Sequence, residues 1–353
     1  MTSALKVRIN QNWRMQLLVL IERYALIVFF MLAYGISWTV WTVEPLVAAF
    51  DPVVGKWFGL LAPYGPTFAA CAVAALLHPE PVPRDRSTRH VVFTAAALIG
   101  TLAVLWRGLG AIGRSPHVLI TAGMWLLIVI MPVWVVWNVR SRVAGVRALL
   151  GSLAAWRVHI GWYGAALLLM PLLSVLGIML LALLGKQISA VIRTEPLPEL
   201  LPLLLTVFIA TLLYGGPLGE EAGWRGFALP KLQARFSPVV ASVVLGVLWG
   251  LWHLPLHLNG FYQGSFPDGV AGIGLRLLSS VGLAILFTWL YNRTQGNLLL
   301  MVLLHTAVNN TAGFWLPITL GMYIMMAVLV VIVIRLDKMW LRVPAASTLP
   351  DVS

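Results

Sequence analysis

The chain has 353 residues, 60% of them hydrophobic and 10% charged, with a formal charge of +12. A soluble protein of this length would divide into two domains, but this apolar content and a mean hydropathy of +0.91 point to a polytopic membrane protein folded as one helical bundle. The basic excess sits in loops and tails and is not interleaved with aromatics in a polar domain. It therefore argues against nucleic acid as a partner and for orientation by the positive-inside rule.

Residues 1–23 carry Lys6, Arg8, Arg14 and Arg23 without a short apolar core followed by a small-residue cleavage pattern, and read as a cytosolic tail rather than a cleaved signal. Crossing roughly 30 Å of hydrocarbon takes about 20 apolar residues. Ten segments are expected to span: 24–43, 57–77, 91–106 and 118–137 in an N-terminal region 24–137, then 160–184, 198–218, 237–256, 272–291, 297–314 and 317–335 in a core 160–335. Between the two groups, residues 138–159 place Val146, Leu149, Leu150, Leu153 and Trp156 at helical spacing among Arg140, Arg142, Arg147 and Arg157. That pattern predicts an amphipathic helix lying on the inner membrane surface. Residues 336–353 form a second cytosolic tail.

Connections rich in arginine or lysine (Arg84, Arg86 and Arg89; Arg140 to Arg157; Arg225, Lys231 and Arg235; Arg293) alternate with mixed ones (Glu44, Asp51 and Lys56; Lys186, Arg193, Glu195 and Glu199; Asp268 and Arg276). Only Arg107 and Arg114 run against this alternation, which puts both termini in the cytosol. The single cysteine, Cys71, excludes an intramolecular disulfide and a cysteine-based metal cluster, and reads as a small packing residue in a helix.

With only 12 acidic residues in the chain, Gly219-Glu220-Glu221-Ala222-Gly223-Trp224-Arg225 stands out beside a long apolar run. A carboxylate at membrane depth costs roughly 2.5 to 3.5 kcal/mol on insertion scales, so it is kept there when something pairs with it or uses it. Arg225 is a candidate partner. Two further polar residues lie in apolar segments downstream: His253, four after Trp249, and His305, four before Asn309. Residues four apart share a helix face. A buried carboxylate, Glu220 or Glu221, with a neutral imidazole can take a proton from water. A second imidazole and a carboxamide can donate to the oxyanion that forms when that water attacks a carbonyl.

Each piece also has a plainer explanation. Glu-Glu with an arginine one turn on is the pattern of a helix-end ion pair, and a lone histidine in a span is commonly a helix–helix hydrogen-bonder. His253 and His257 have metal-pair spacing, but Pro255 between them distorts the helix. The tryptophans 224, 249 and 252 read as packing aromatics.

Glu220-Glu221-xxx-Arg225, then Trp249-xxx-His253, then His305-xxx-Asn309, in this order over about residues 200–315, resemble the three motifs of the CPBP family. These are the Rce1-like intramembrane proteases, which include type II CAAX prenyl endopeptidases and bacteriocin-immunity (Abi) proteins. Trp249 stands where the second motif commonly has Phe, and the segments between 91 and 137 exceed the usual core. The resemblance implies an all-α transmembrane bundle of about 8–10 spans with an Rce1-like core and a cavity open to the cytosol. It implies an endopeptidase acting on a membrane-associated peptide or protein, lipidated or hydrophobic, in the bilayer. Glu220 and His253 would activate water, His305 and Asn309 would stabilise the oxyanion, and Glu221 and Arg225 would support them. It leaves open a divalent metal such as zinc at Glu220, His253 and His305. A non-catalytic scaffold or immunity protein, and an ion-coupled transporter, are the rival readings, although no repeat symmetry of the transporter kind is visible.

Helix arithmetic sets one further expectation. From Ser237, His253 lies about 24 Å along its helix, whereas from Asn297, His305 lies about 12 Å along its own. The two meet only if the seventh span starts deep, tilts, or bends at Gly246 or Gly250.

Overall fold

The computed structural model describes residues 16, 18–83, 87–112, 117–186, 197–262, 269–311, 316 and 318–342, with the backbone alone at 89, 103–112 and 197. Lys6, Arg8, Arg14, Arg84, Arg86, Arg114, Arg193, Glu195, Asp268 and the end of the C-terminal tail lie outside the described residues, as does the side chain of Arg107. Within them the regular structure is helical, apart from an isolated bridge between Pro81 and Val143.

The helices are α1 (Ala25–Phe50), α2 (Pro52–Gly59), α3 (Gly65–Leu77), α4 (Thr88–Ile112), α5 (Val118–Asn138), α6 (Ala144–Leu150), α7 (Ile160–Leu183) and α8 (Leu197–Tyr214). They continue with α9 (Pro217–Glu221), α10 (Leu229–Gln233), α11 (Pro238–Trp252), α12 (Leu254–Leu258), α13 (Gly269–Arg293), α14 (Leu298–Asn310) and α15 (Leu320–Leu336). A short 3-10 turn, Ala62–Tyr64, links α2 to α3, and a π-helical segment, Ala222–Ala228, links α9 to α10.

Seven helical stretches among the described residues are long and apolar enough to cross a membrane. All ten expected segments are helical over most of their described residues, so the chain is a polytopic helical bundle. The third is longer than its apolar run, 25 residues in place of 91–106. The ninth and tenth, α14 and α15, have 13 and 17 residues, short of the length a full crossing needs.

The starts of these helices are written locally. The Asp51 carboxylate accepts from the backbone N–H of Val53 (2.8 Å) and Val54 (3.2 Å), and Pro52 sits at the first helical position, where no N–H is needed. Asn297 caps α14 through Leu300 N–H at 3.0 Å, and Thr319 caps α15 through Met322 N–H at 3.1 Å.

Between apolar helices in lipid, association depends on close van der Waals packing and a few polar ties. The α11–α13 contact shows both. Ser242, Gly246 and Gly250 lie along one face of α11, and Ser242 Oγ donates to Thr288 Oγ1 of α13 at 2.7 Å. A Cβ on Gly246 would stand 2.6 Å from Val281 Cα, and one on Gly250 would stand 2.8 Å from Leu277 Cδ2.

Two expectations change here. The segment 138–159 is not a helix lying apart on the membrane: the apolar residues Val146, Leu149, Leu150 and Leu153 of α6 and the following 3-10 turn are buried within the protein. Gly145 packs directly on Ala74 of α3. The helical apolar spacing is real, but the face it makes finds protein. The seventh span does break, though not at Gly246 or Gly250, which serve the approach of α13. It runs unbroken over α11 and is interrupted at His253, whose N–H bonds back three residues to Gly250 at 3.2 Å before α12 starts with Pro255 in its first turn.

The packing of α11 generates a test. Gly246→Leu forces backbone atoms of α13 apart and is expected to lower stability by about 1–3 kcal/mol or more, read as a lower thermal midpoint in detergent. Gly123→Leu, where a Cβ meets nothing within 4 Å, leaves the midpoint unchanged.

Candidate active site

The polar centre begins where the chain stops being a regular α-helix. After α8 ends at Tyr214, Gly215-Gly216-Pro217 turns it into α9, and Gly216 has φ +107°, a backbone region that only glycine enters without strain. The turn leaves Glu220 and Glu221 at the end of α9. The π segment that follows carries Trp224 and Arg225. Such π turns are rare, and frequent at functional sites because the widened turn re-aims side chains.

Glu221 and Arg225 form an ion pair, Arg225 Nη1 to Glu221 Oε1 at 2.8 Å, with the side chains 1% and 0% exposed. The same carboxylate oxygen takes His305 Nδ1 of α14 at 2.6 Å. The guanidinium lies over the rings of Trp249 and Phe287, with centroids 4.4 Å and 3.9 Å from Arg225 Cζ, close enough for cation–π attraction to both. The pair is therefore a buried one and not a helix-end pair, closed in by aromatics from α11 and α13.

Glu220 is also buried but has different partners. Its Oε2 accepts the indole N–H of Trp249 at 2.8 Å and that of Trp224 at 3.1 Å. Its Oε1 rests against Gly216, where a Cβ would stand only 2.4 Å away. The two neighbouring carboxylates are thus separated by environment: one bonds to a cation and an imidazole, the other accepts from neutral donors.

His253 Nδ1 lies 2.7 Å from the Trp249 carbonyl oxygen. A carbonyl only accepts, so Nδ1 carries the proton, and in the neutral ring Nε2 is the nitrogen with the free lone pair. The His253 ring is buried among Trp249, Trp252, Trp41 and Tyr262, with ring centroids 5.8, 4.8, 6.2 and 6.4 Å away. The ring of His305 meets that of Trp249 edge-on at 5.5 Å, so both histidines gather about one indole. Asn309, one turn beyond His305, donates from Nδ2 to the Gly215 carbonyl at 3.0 Å, which ties α14 to the turn before Glu220.

All six expected residues therefore fall in one region, distributed over two arrangements. Glu221, Arg225 and His305 share one oxygen, while Glu220 and His253 are linked through Trp249. The donor set named for a metal does not gather into a chelate. Among the described residues no three His, Cys, Asp or Glu side chains are placed to hold an ion, and Glu220 Oε2 already accepts two indole N–H groups. These residues do not fit a bound metal, and no step below runs through one.

Sequence reasoning missed the tryptophans, which it took for packing. The legible signals were Trp224 four residues after Glu220, the spacing of a helical hydrogen-bonded pair, and Trp249 four before His253. The N-terminal helices are part of the site as well. Tyr34 hydroxyl donates to the Leu248 carbonyl, and Trp38 Nε1 donates to the Trp252 carbonyl at 2.9 Å, fixing the end of α11 against α1. Gly219 and Gly223 lie so close to Pro63 and Pro66 that a Cβ on either would stand 2.6 Å from their backbone.

Comparison with known proteins accords with this geometry. Residues 202–311 match the family described as type II CAAX prenyl endopeptidase, Rce1-like. A protein described as CAAX prenyl protease 2 from Methanococcus maripaludis is 34% identical over 151 residues, which are 40% of this chain and 52% of that protein. The chain thus spans about half the length of the curated relative it matches. The segment that folds into the Glu220 turn, the broken helix at His253 and the helix of His305 is the one that is similar to the Rce1-like family of type II CAAX prenyl endopeptidases.

Proposed function

We propose that this protein is an intramembrane endopeptidase that hydrolyses a peptide bond of a membrane-associated, lipidated or hydrophobic protein. The observation that carries this reading is the division of labour between adjacent buried carboxylates. Glu221 is engaged with Arg225 and His305, whereas Glu220 is held by neutral indole donors on one oxygen only.

Glu220, with His253 Nε2, takes the proton of a water whose oxygen adds to the scissile carbonyl carbon. The oxyanion of the tetrahedral intermediate is met by Asn309, which has a second amide hydrogen beyond the one given to Gly215. It is also met by His305, which Glu221 holds through Nδ1. Collapse of the intermediate breaks the C–N bond, and the proton taken from water passes to the departing amine. Glu221 and Arg225 hold His305. By analogy with the relative's name, the substrate class is a prenylated protein or peptide ending in a Cys-aliphatic-aliphatic-X sequence. The positive-inside pattern places both termini, and with them access for such substrates, on the cytosolic side.

The scaffold reading and the peptidase reading separate on one substitution. Glu220→Gln keeps the shape and an acceptor for the indoles but cannot take a proton. It is expected to cost about 10²–10⁴-fold in turnover with an unchanged thermal midpoint. Comparing membrane-protein N- and C-termini in cells expressing wild type or Glu220→Gln at equal levels checks this. Termini present only with the wild type identify the cleaved bond, and identical termini with both well folded would move the assignment to a scaffold.

His253→Ala should lose turnover to a similar degree, because the imidazole that shares the proton is gone.

Glu221→Gln should fail differently. It leaves the Arg225 guanidinium buried without its carboxylate, a loss of about 3–5 kcal/mol, and should show as poor folded yield and a lowered melting transition before any assay of turnover.

A further inference from the structure

We infer that Trp249 is the positioning residue that sets Glu220 and His253 in register: its indole N–H holds the carboxylate and its backbone carbonyl holds the imidazole. This rests on reading Glu220 and His253 as the pair that activates water.

Both atoms that do this belong to one residue in the last full turn before the helix is interrupted at His253. The N–H of Trp249 reaches Glu220 Oε2 at 2.8 Å from 29 residues away, whereas the second donor, Trp224, is on the same helical stretch as Glu220. Trp249 is therefore the direct tie between the helix bearing the carboxylate and the helix bearing the imidazole. The ring is itself fixed. Its face lies under the Arg225 guanidinium at 4.4 Å, it meets Phe287 at 6.0 Å and nearly perpendicular, and the edge of His305 closes on it.

Holding Oε2 with two N–H bonds leaves Oε1, beside Gly216, as the oxygen that receives the proton of water. Anchoring His253 Nδ1 on the Trp249 carbonyl in turn aims Nε2. A phenylalanine at 249 would keep the ring and the carbonyl and lose the N–H.

The test uses the full-length protein in lipid nanodiscs with a farnesylated peptide ending in Cys-aliphatic-aliphatic-X. Trp249→Phe and, at the same position, benzothienylalanine, which replaces the indole N–H by sulfur in a ring of nearly the same shape, are compared with wild type. Loss of one hydrogen bond to a charged group predicts a fall in kcat of about 10- to 100-fold, with KM and the thermal midpoint unchanged. If Trp249→Phe is poorly folded, the isosteric variant decides, and a kcat within twofold of wild type overturns the inference.

The indole ¹⁵N–H resonances report separately from turnover. In Glu220→Gln those of Trp224 and Trp249 should both move, while that of Trp252, whose indole N–H has no hydrogen-bond partner among the described residues, stays. Unmoved Trp249 resonance sinks the positioning role. A moved resonance in a wild-type protein that leaves the peptide uncut supports the positioning role and counts against the proposed substrate.

Discussion

Glu221 Oε1 accepts from Arg225 and from His305 at once, in a place where neither water nor lipid can replace either partner. Removing two charges from water costs several kcal/mol per ion, repaid only by good geometry and further donors. Much of the surrounding structure supplies that geometry. The rings of Trp249 and Phe287 pack against the guanidinium, α14 brings the imidazole, and the π segment brings Arg225 one turn after the carboxylate. Glu221 and Arg225 share one helical stretch and His305 comes from α14, so the shared oxygen ties α9 to α14, while Trp249 and Phe287 bring α11 and α13 against the guanidinium.

Around this fixed centre the helices are irregular beside the candidate residues. The Gly215-Gly216 turn, the π segment and the interruption at His253 all border Glu220 or His253. In a bilayer such breaks are tolerated where the freed backbone finds protein partners. Here it does: the Gly215 carbonyl takes the Asn309 amide, the Trp252 carbonyl takes the Trp38 indole, and the Leu248 carbonyl takes the Tyr34 hydroxyl. The N-terminal helices α1 and α3, outside the segment that matches the family, therefore supply part of the wall of the site. The aromatic series Tyr34, Trp38 and Trp41 on one face of α1 lies along the end of α11, where Trp41 also stacks over the His253 ring.

The sequence by itself determined the class and the positions of the candidate residues. Hydropathy alone requires helices, since only helices satisfy every backbone group within a single apolar segment. Glu220, Glu221, Arg225, His253, His305 and Asn309 were legible because polar residues are costly in apolar runs and therefore conspicuous. Caps such as Asp51-Pro52 and Asn297 were legible for the same local reason.

Tertiary structure alone decided which carboxylate pairs with which base. Glu220 and Glu221 are adjacent and chemically identical; the π segment gives one Trp224 and the other Arg225, and only the arrangement of α11 and α14 adds Trp249 to the first and His305 to the second. It also decided that Gly246 and Gly250 admit α13 rather than bend α11, and that the apolar face of α6 meets α3 rather than lipid. Helical spacing states that a face is apolar or small, and says nothing of what covers it. That is a property of partners distant in sequence, and here those partners turn a row of tryptophans from packing into the frame that holds Glu220 and His253.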